Sequence, residues 1–315
     1  MEKAIPPLSV RLFGKFCVQR FHKNVVGIES CKLQELFSYL LVFRNSQHPR
    51  ENLAALLWGE SSTAQSKKYL RQALWQLQSA LALSGKSKTR FPVLSVEPDS
   101  VAINPMTEVW LDVAVFEGVF SIVKEIAGEH LEPELAQTVE NAVQLYRGDL
   151  LEGWYQDWCL CERERLQSHY LIMLDKLLSY CEATHKFETG LGYGLRVLRY
   201  DRARESTHRQ LMRLYYLAGD RTAALRQYQH CADALHEELG VKPARRTVAL
   251  YEQMRADQFE GMKPALTNSA PTRADSPPVS EVMERLKQLR ALLSDIHRQV
   301  QKEIQAVDLV LNGRR

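Results

Sequence analysis

At 315 residues, with 45% hydrophobic and 25% charged residues, the chain has room for about two domains with real cores, and its composition excludes a fibrous or largely disordered protein. The net charge is only +3, but it is unevenly placed: through Trp110 fourteen Lys/Arg stand against eight Asp/Glu, a net of +6, and the remainder carries twenty-seven against thirty, a net of −3. A basic front on a near-neutral body points to a polyanionic partner for the front.

The longest apolar run, LFSYLLVF, is far short of the roughly 18 residues that cross a bilayer. MEKAIPPLSVRLFG has no apolar core of a signal peptide. A cytoplasmic protein with six reduced cysteines is expected, with no membrane contact. Cys159 and Cys161 stand two apart and point to opposed sides of a helix, so with His169 they do not make a zinc site, and no metal is expected.

In chain order, Leu8, Val10 and Leu12 alternate with polar residues, GK turns the chain, and FCVQR follows, predicting strand, turn, strand. VVGI reads as another short strand. KLQELFSYLLVFRN and HPRENLAALLWG read as two helices, the second starting near Pro49 and stopping at Gly59. Then KKYLRQALWQLQSALA places Leu70, Leu74, Leu77 and Leu81 on one stripe of a third helix. Its other face is Lys67, Lys68, Arg71, Gln72, Trp75, Gln76 and Ser79. No Asp or Glu occurs from Ser61 to Val96, whereas Lys86, Lys88 and Arg90 add further charge. VLSVE and SVAIN then form a hairpin around Pro98-Asp99.

Two helices joined by a short polar turn, with a hairpin behind them, is the order of a winged helix-turn-helix. The major groove admits one helix and offers acceptors that suit Arg, Lys and Gln. The acid-free face is therefore read as a surface for double-stranded DNA, with Gln65, Lys67, Lys68, Arg71, Gln72, Trp75, Gln76, Lys86, Lys88 and Arg90 as the candidate contacts. Lys68 and Arg71 fit phosphate contacts better than base contacts, since half or more of protein–DNA hydrogen bonds go to the backbone. Trp75 is divided between packing on the first helix, the commoner fate, and touching thymine methyls or sugars.

From about Pro133 to Gly261 the chain reads as helices near 134–147, 156–184, 187–200, 205–219, 221–239 and 244–260. Leu177, Cys181, Gly190 and Gly194 recur 34 residues later as Leu211, Tyr215, Ala224 and Tyr228, the tetratricopeptide period. Gly148 reads as a helix cap, and Trp154, Tyr155 and Trp158 read as a hydrophobic lock between domains in preference to a ligand cage. The concave side of such repeats is also a surface for a peptide or small-molecule effector. Residues 262–280, rich in Pro and Ser, read as a linker. A final helix over 281–312 carries an apolar seam of Leu286, Leu289, Leu293, Ile296 and Val300, interrupted by Glu303. It serves either self-association as a homodimer or folding back on the same chain's repeats.

The phrases VRLFGKF, LLWGE with YLRQALWQLQSAL, VWLDVAVFE, LYRGDLLEGWYQDW with ERERL, and LMRLYYLAGDRTAALRQYQHCADALHEELGVKP stand in the order of the SARP-type bacterial transcriptional regulators, which the chain resembles over about residues 8–257. The resemblance implies a mainly α fold with a small α+β domain: a winged helix over 1–110, then a tetratricopeptide-like bacterial transcriptional activator domain over 111–261. It implies a nucleoid-associated activator that binds direct repeats and helps RNA polymerase, with Lys68, Arg71, Gln72 and Trp75 on the groove side. Gln78 departs from the Leu-Arg pair common there, and Gly190 and Gly194 replace alanine-like residues, which predicts a looser repeat. No P-loop accompanies these phrases. No nucleophile elbow or HExxH occurs, so neither enzymatic activity nor a cofactor is expected. The rival reading is a protein-binding repeat scaffold with a basic front domain.

Overall fold

The computed structural model describes residues 8–82 and 92–259, which belong to one compact unit, Met1–Gly261. The front of the chain builds two small sheets around three helices. In the first sheet the strand order is β3 (Lys23–Asn24), β2 (Cys17–Arg20), β1 (Leu8–Arg11) and β7 (Val109–Leu111); β7 runs parallel to β1, and the other pairs are antiparallel. The second sheet is β4 (His48–Pro49), β6 (Ser100–Ile103) and β5 (Leu94–Val96). Between the sheets lie α1 (Cys31–Val42), α2 (Arg50–Trp58) and α3 (Thr63–Leu81), which together form the winged helix.

The expected strand at VVGI is displaced to Lys23–Asn24. Phe21 and His22, at φ 46° and 65°, turn β2 into β3 within two residues. The Val25 amide adds one bond to the Val18 carbonyl at 3.0 Å before Gly27, at φ 98°, turns the chain away from the sheet.

Behind the winged helix come α4 (Asp112–Val123), a single 3-10 turn at Gly128–His130, and then α5 (Pro133–Leu145), α6 (Asp157–Ala183), α7 (Phe187–Tyr200), α8 (Glu205–Leu217), α9 (Arg221–Leu239) and α10 (Arg245–Arg255). The last six match the helices that the periodicity predicts. Helix α4 was not expected, because DVAVFEGVFSIV is apolar on almost every side and shows no amphipathic stride.

Asp220 caps α9 by accepting the Ala223 amide at 2.8 Å, and Gly240, at φ 66°, ends that helix in the left-handed conformation. Gly190 and Gly194 are buried on α7, and the repeat there is tighter than expected. A Cβ on Gly194 would lie 2.5 Å from Leu211 Cδ2, and one on Gly190 would lie 2.9 Å from Leu214 Cδ1. The missing side chains let α7 approach α8 closely.

One apolar core runs from the winged helix into the helical body. Leu12, Phe13, Leu36 and Phe37 belong to it, as do Phe116, Tyr146, Leu150 and Leu174. Tyr215, Tyr216, Tyr228 and Tyr251 surround a second, smaller cluster at Met212, Ala224, Leu250 and Met254.

Candidate nucleic-acid interface

Helix α3 is held from beneath by Leu70, Leu74, Leu77 and Leu81, all buried, as their four-three-four spacing predicts. Both ends are pinned. Ser66 Oγ donates to the Trp58 carbonyl at 2.8 Å and fixes the turn from α2. At the far end, where α3 has no basic residue of its own in the last turn, the guanidinium of Arg20 on β2 donates to the carbonyls of Leu81 at 2.6 Å and Ala82 at 2.9 Å. A cation on otherwise unsatisfied carbonyls is favourable at that terminus.

At 100° per residue the outer face divides into two regions. Gln65, Lys68, Gln72, Trp75 and Ser79 are exposed and lie opposite the leucine stripe, whereas Lys67 and Arg71 lie on its flank. Trp75 is 67% exposed, so it does not pack on α1; the commoner expectation fails because α3 presents it away from the core. Gln76 is only half-buried at the opposite edge. Gln65 donates to the Tyr69 hydroxyl at 2.6 Å, which orders its amide along the helix.

The flank carries the acid that counting along α3 cannot find. Lys67 Nζ pairs with Glu51 on the first turn of α2 at 2.5 Å. Hydrogen bonding and charge from Lys67 hold the Glu51 carboxyl below its ordinary range. Arg71 and Lys67 line one wall of a cleft of about 730 Å³ whose other walls include Arg50, Pro98 and Asp99. The hairpin is tied into this arrangement: the Arg50 amide donates to the Asp99 carbonyl at 2.9 Å, and its guanidinium donates to the Glu97 carbonyl at 3.2 Å. The cleft is thus a basic slot between α3 and the hairpin, edged by two carboxylates. Lys86, Lys88 and Arg90, and the seam of Leu286, Leu289, Leu293, Ile296 and Val300, lie outside the described residues.

The winged helix and the helical body share one core and several polar ties. Asp112, only 2% exposed, opens α4 and accepts the amides of Leu12, Phe13 and Val113 at 2.8–3.0 Å. Burial pushes its carboxyl up, and these amides oppose the rise. Gly148 does not cap α5, which ends at Leu145. It packs beside Gly14, and the Gly14 amide donates to the Asp149 carbonyl at 2.9 Å. Arg163 of the ERERL phrase gathers the carbonyls of Leu150, Leu151 and Trp154 at 2.9–3.1 Å. Glu117 on α4 binds Arg44 at 2.7 Å and Arg165 at 2.5 Å.

The aromatic lock is divided. Trp158 packs edge-on to Tyr39 of α1 at 5.3 Å, as a lock should, whereas Tyr155 is 77% exposed and takes no part. Among the residues that govern this interface, Arg20, Glu51 and Asp112 had no signal in the sequence, because each acts on a partner distant in the chain.

Residues 111–255 match the bacterial transcriptional activator domain family. The chain is 23% identical over 225 residues to the transcriptional regulatory protein MoaR1 of Mycobacterium tuberculosis, an alignment covering 71% of each, and matches MoaR1 of Mycobacterium bovis to the same extent. Among solved structures, Mycobacterium tuberculosis EmbR in complex with a low affinity phosphopeptide shares the fold at TM-score 0.61 and 19% identity. The match covers 81% of this chain and 66% of that one, just under two thirds of its length. With an activator domain set behind a winged helix and these regulators as relatives, the chain is similar to the SARP-type bacterial transcriptional regulators.

Proposed function

We propose that the chain is a sequence-specific DNA-binding activator whose α3 enters the major groove, with the 93–104 hairpin against the neighbouring groove. Residues 1–110 are the DNA-binding domain, 111–261 the activator domain, 262–280 a linker and 281–312 a helix that pairs two chains through Leu286, Leu289, Leu293, Ile296 and Val300. Copies bind direct repeats near a promoter in the bacterial cytoplasm, and the helical body assists RNA polymerase. The observation that carries this reading is the outer face of α3, where Gln65, Lys68, Gln72 and Trp75 are exposed together and opposite a buried stripe.

Within this reading Arg71 reaches the DNA from the cleft, and Lys68 meets phosphate. The experiment is an electrophoretic shift assay on the full chain with promoter fragments at several salt concentrations. Arg71→Ala weakens specific binding about tenfold, and Lys68→Ala weakens binding to all sequences and flattens the salt slope by about one unit. Wild-type binding by both variants refutes the assignment. A protein scaffold would show neither the salt slope nor a preferred site.

A further inference from the structure

A second cavity, of about 450 Å³, opens between the first turns of α1 and the loop that leads into α6. Gln34 and Glu35 form one wall, and Trp154, Tyr155 and Gln156 form the other. The buried polar atom it leaves without a partner is an acceptor. The Glu35 side chain is 5% exposed and gives Oε2 to Lys32 at 2.9 Å, while among the described residues no hydrogen bond engages its Oε1. Gln156 Oε1 is buried without a donor. Gln34 has already spent its amide nitrogen on the Ile28 carbonyl at 2.9 Å. Beside these oxygens stand the half-buried ring of Trp154 and the exposed ring of Tyr155.

We propose that this cavity binds a small organic cation, an ammonium group on a short apolar body. The two rings attract a cation, and the Glu35 carboxylate, which is shared with Lys32, balances part of its charge. An anion would be repelled by the Glu35 carboxylate, and a neutral apolar guest would leave the buried Gln156 Oε1 without a donor. The volume is that of a small-molecule site. Glu35 belongs to the winged helix and Trp154 to the activator domain, so the occupant touches both.

The test is calorimetric titration of the full chain with tetramethylammonium, choline and butylammonium, and with 3,3-dimethylbutan-1-ol, the uncharged counterpart of choline. Choline binds at least about tenfold tighter than the alcohol. Glu35→Gln abolishes that preference. Tyr155→Ala, which removes an exposed ring, weakens choline binding about threefold or more with no change in melting temperature, and it decides the matter if the Glu35 variant folds poorly. The proposal is overturned if none of the three cations binds at concentrations up to about 10 mM, or if choline and the alcohol bind equally. It is equally overturned if a glycyl-lysyl-glycine peptide binds more tightly than the free amines, which assigns the seat to a partner protein's side chain.

Discussion

The carboxylate of Asp112 holds the amide of Leu12 at 2.9 Å across a hundred residues of sequence. It joins the residues that follow β1 in the winged helix to the first turn of α4 inside a shared core. Removing the carboxylate leaves the buried amides of Leu12 and Phe13 without an acceptor, at about 1–3 kcal/mol each. Asp112→Ala therefore lowers unfolding free energy by about 2–4 kcal/mol in chemical denaturation, with a single transition for both domains. A fragment ending at residue 110 loses this clamp and the Phe116 and Tyr146 rings that flank Phe13 at 5.1 and 4.8 Å.

The Glu51–Lys67 pair sets how much of the cleft's charge is available to DNA. In Glu51→Gln, Lys67 is no longer neutralised. Nonspecific duplex binding tightens, and the plot of log affinity against log salt steepens by about one charge. Fluorescence anisotropy with a random duplex measures both; an unchanged slope removes Lys67 from the interface.

Close glycine contacts in the body differ in what they would strike. A Cβ on Gly128 would lie 2.4 Å from the Lys176 backbone carbonyl, which cannot swing away, whereas on Gly194 it would meet the Leu211 side chain. Gly194→Ala costs about 1–2 kcal/mol, because overpacking outweighs the roughly 1 kcal/mol of helix propensity it restores. Gly128→Ala costs about 3 kcal/mol. Melting curves of the two variants should keep that order.

His208 gives the body a pH dependence. Its Nε2 lies 2.8 Å from the Arg202 carbonyl, which only accepts, so Nε2 carries the proton and Nδ1 accepts from Gln227 Nε2 at 2.7 Å. Burial holds its pKa below the ordinary 6.5. The unfolded chain therefore takes up a proton near pH 6.5 that the folded one refuses, and stability falls as pH drops through that value towards the lowered folded pKa. Burial and the nearby Arg165 shift His169 the same way. Melting temperature declines between pH 7.5 and 5.5, and His208→Gln flattens the decline.

What the sequence could and could not disclose follows from distance along the chain. Helices α1, α2 and α3 and the 94–103 hairpin were legible because stride, proline and glycine are local signals. The leucine stripe told correctly which face of α3 is buried. Helix α4 escaped because its sequence is apolar on almost every side, exposed Val115 and Ile122 included, and VVGI was misread because Gly27 turns the chain away. The candidate site was legible as a cationic face, but not the Lys67–Glu51 pair, sixteen residues apart, nor the Arg20 cap, which is sixty-one residues from Leu81. Trp75 was misjudged because a large ring usually finds cover; here its position on the helix denies it any.

The two pins on α3, Ser66 at its start and Arg20 at its end, together with the leucines beneath, leave the residues that face outward without structural duties. Exchanges at Lys68, Gln72 and Trp75 fall among surface changes that shift stability by only about 0.5 kcal/mol. Under the proposed function, a lineage or an engineer can rewrite the preferred operator while the scaffold stays constant, so promoter choice and fold evolve on separate clocks.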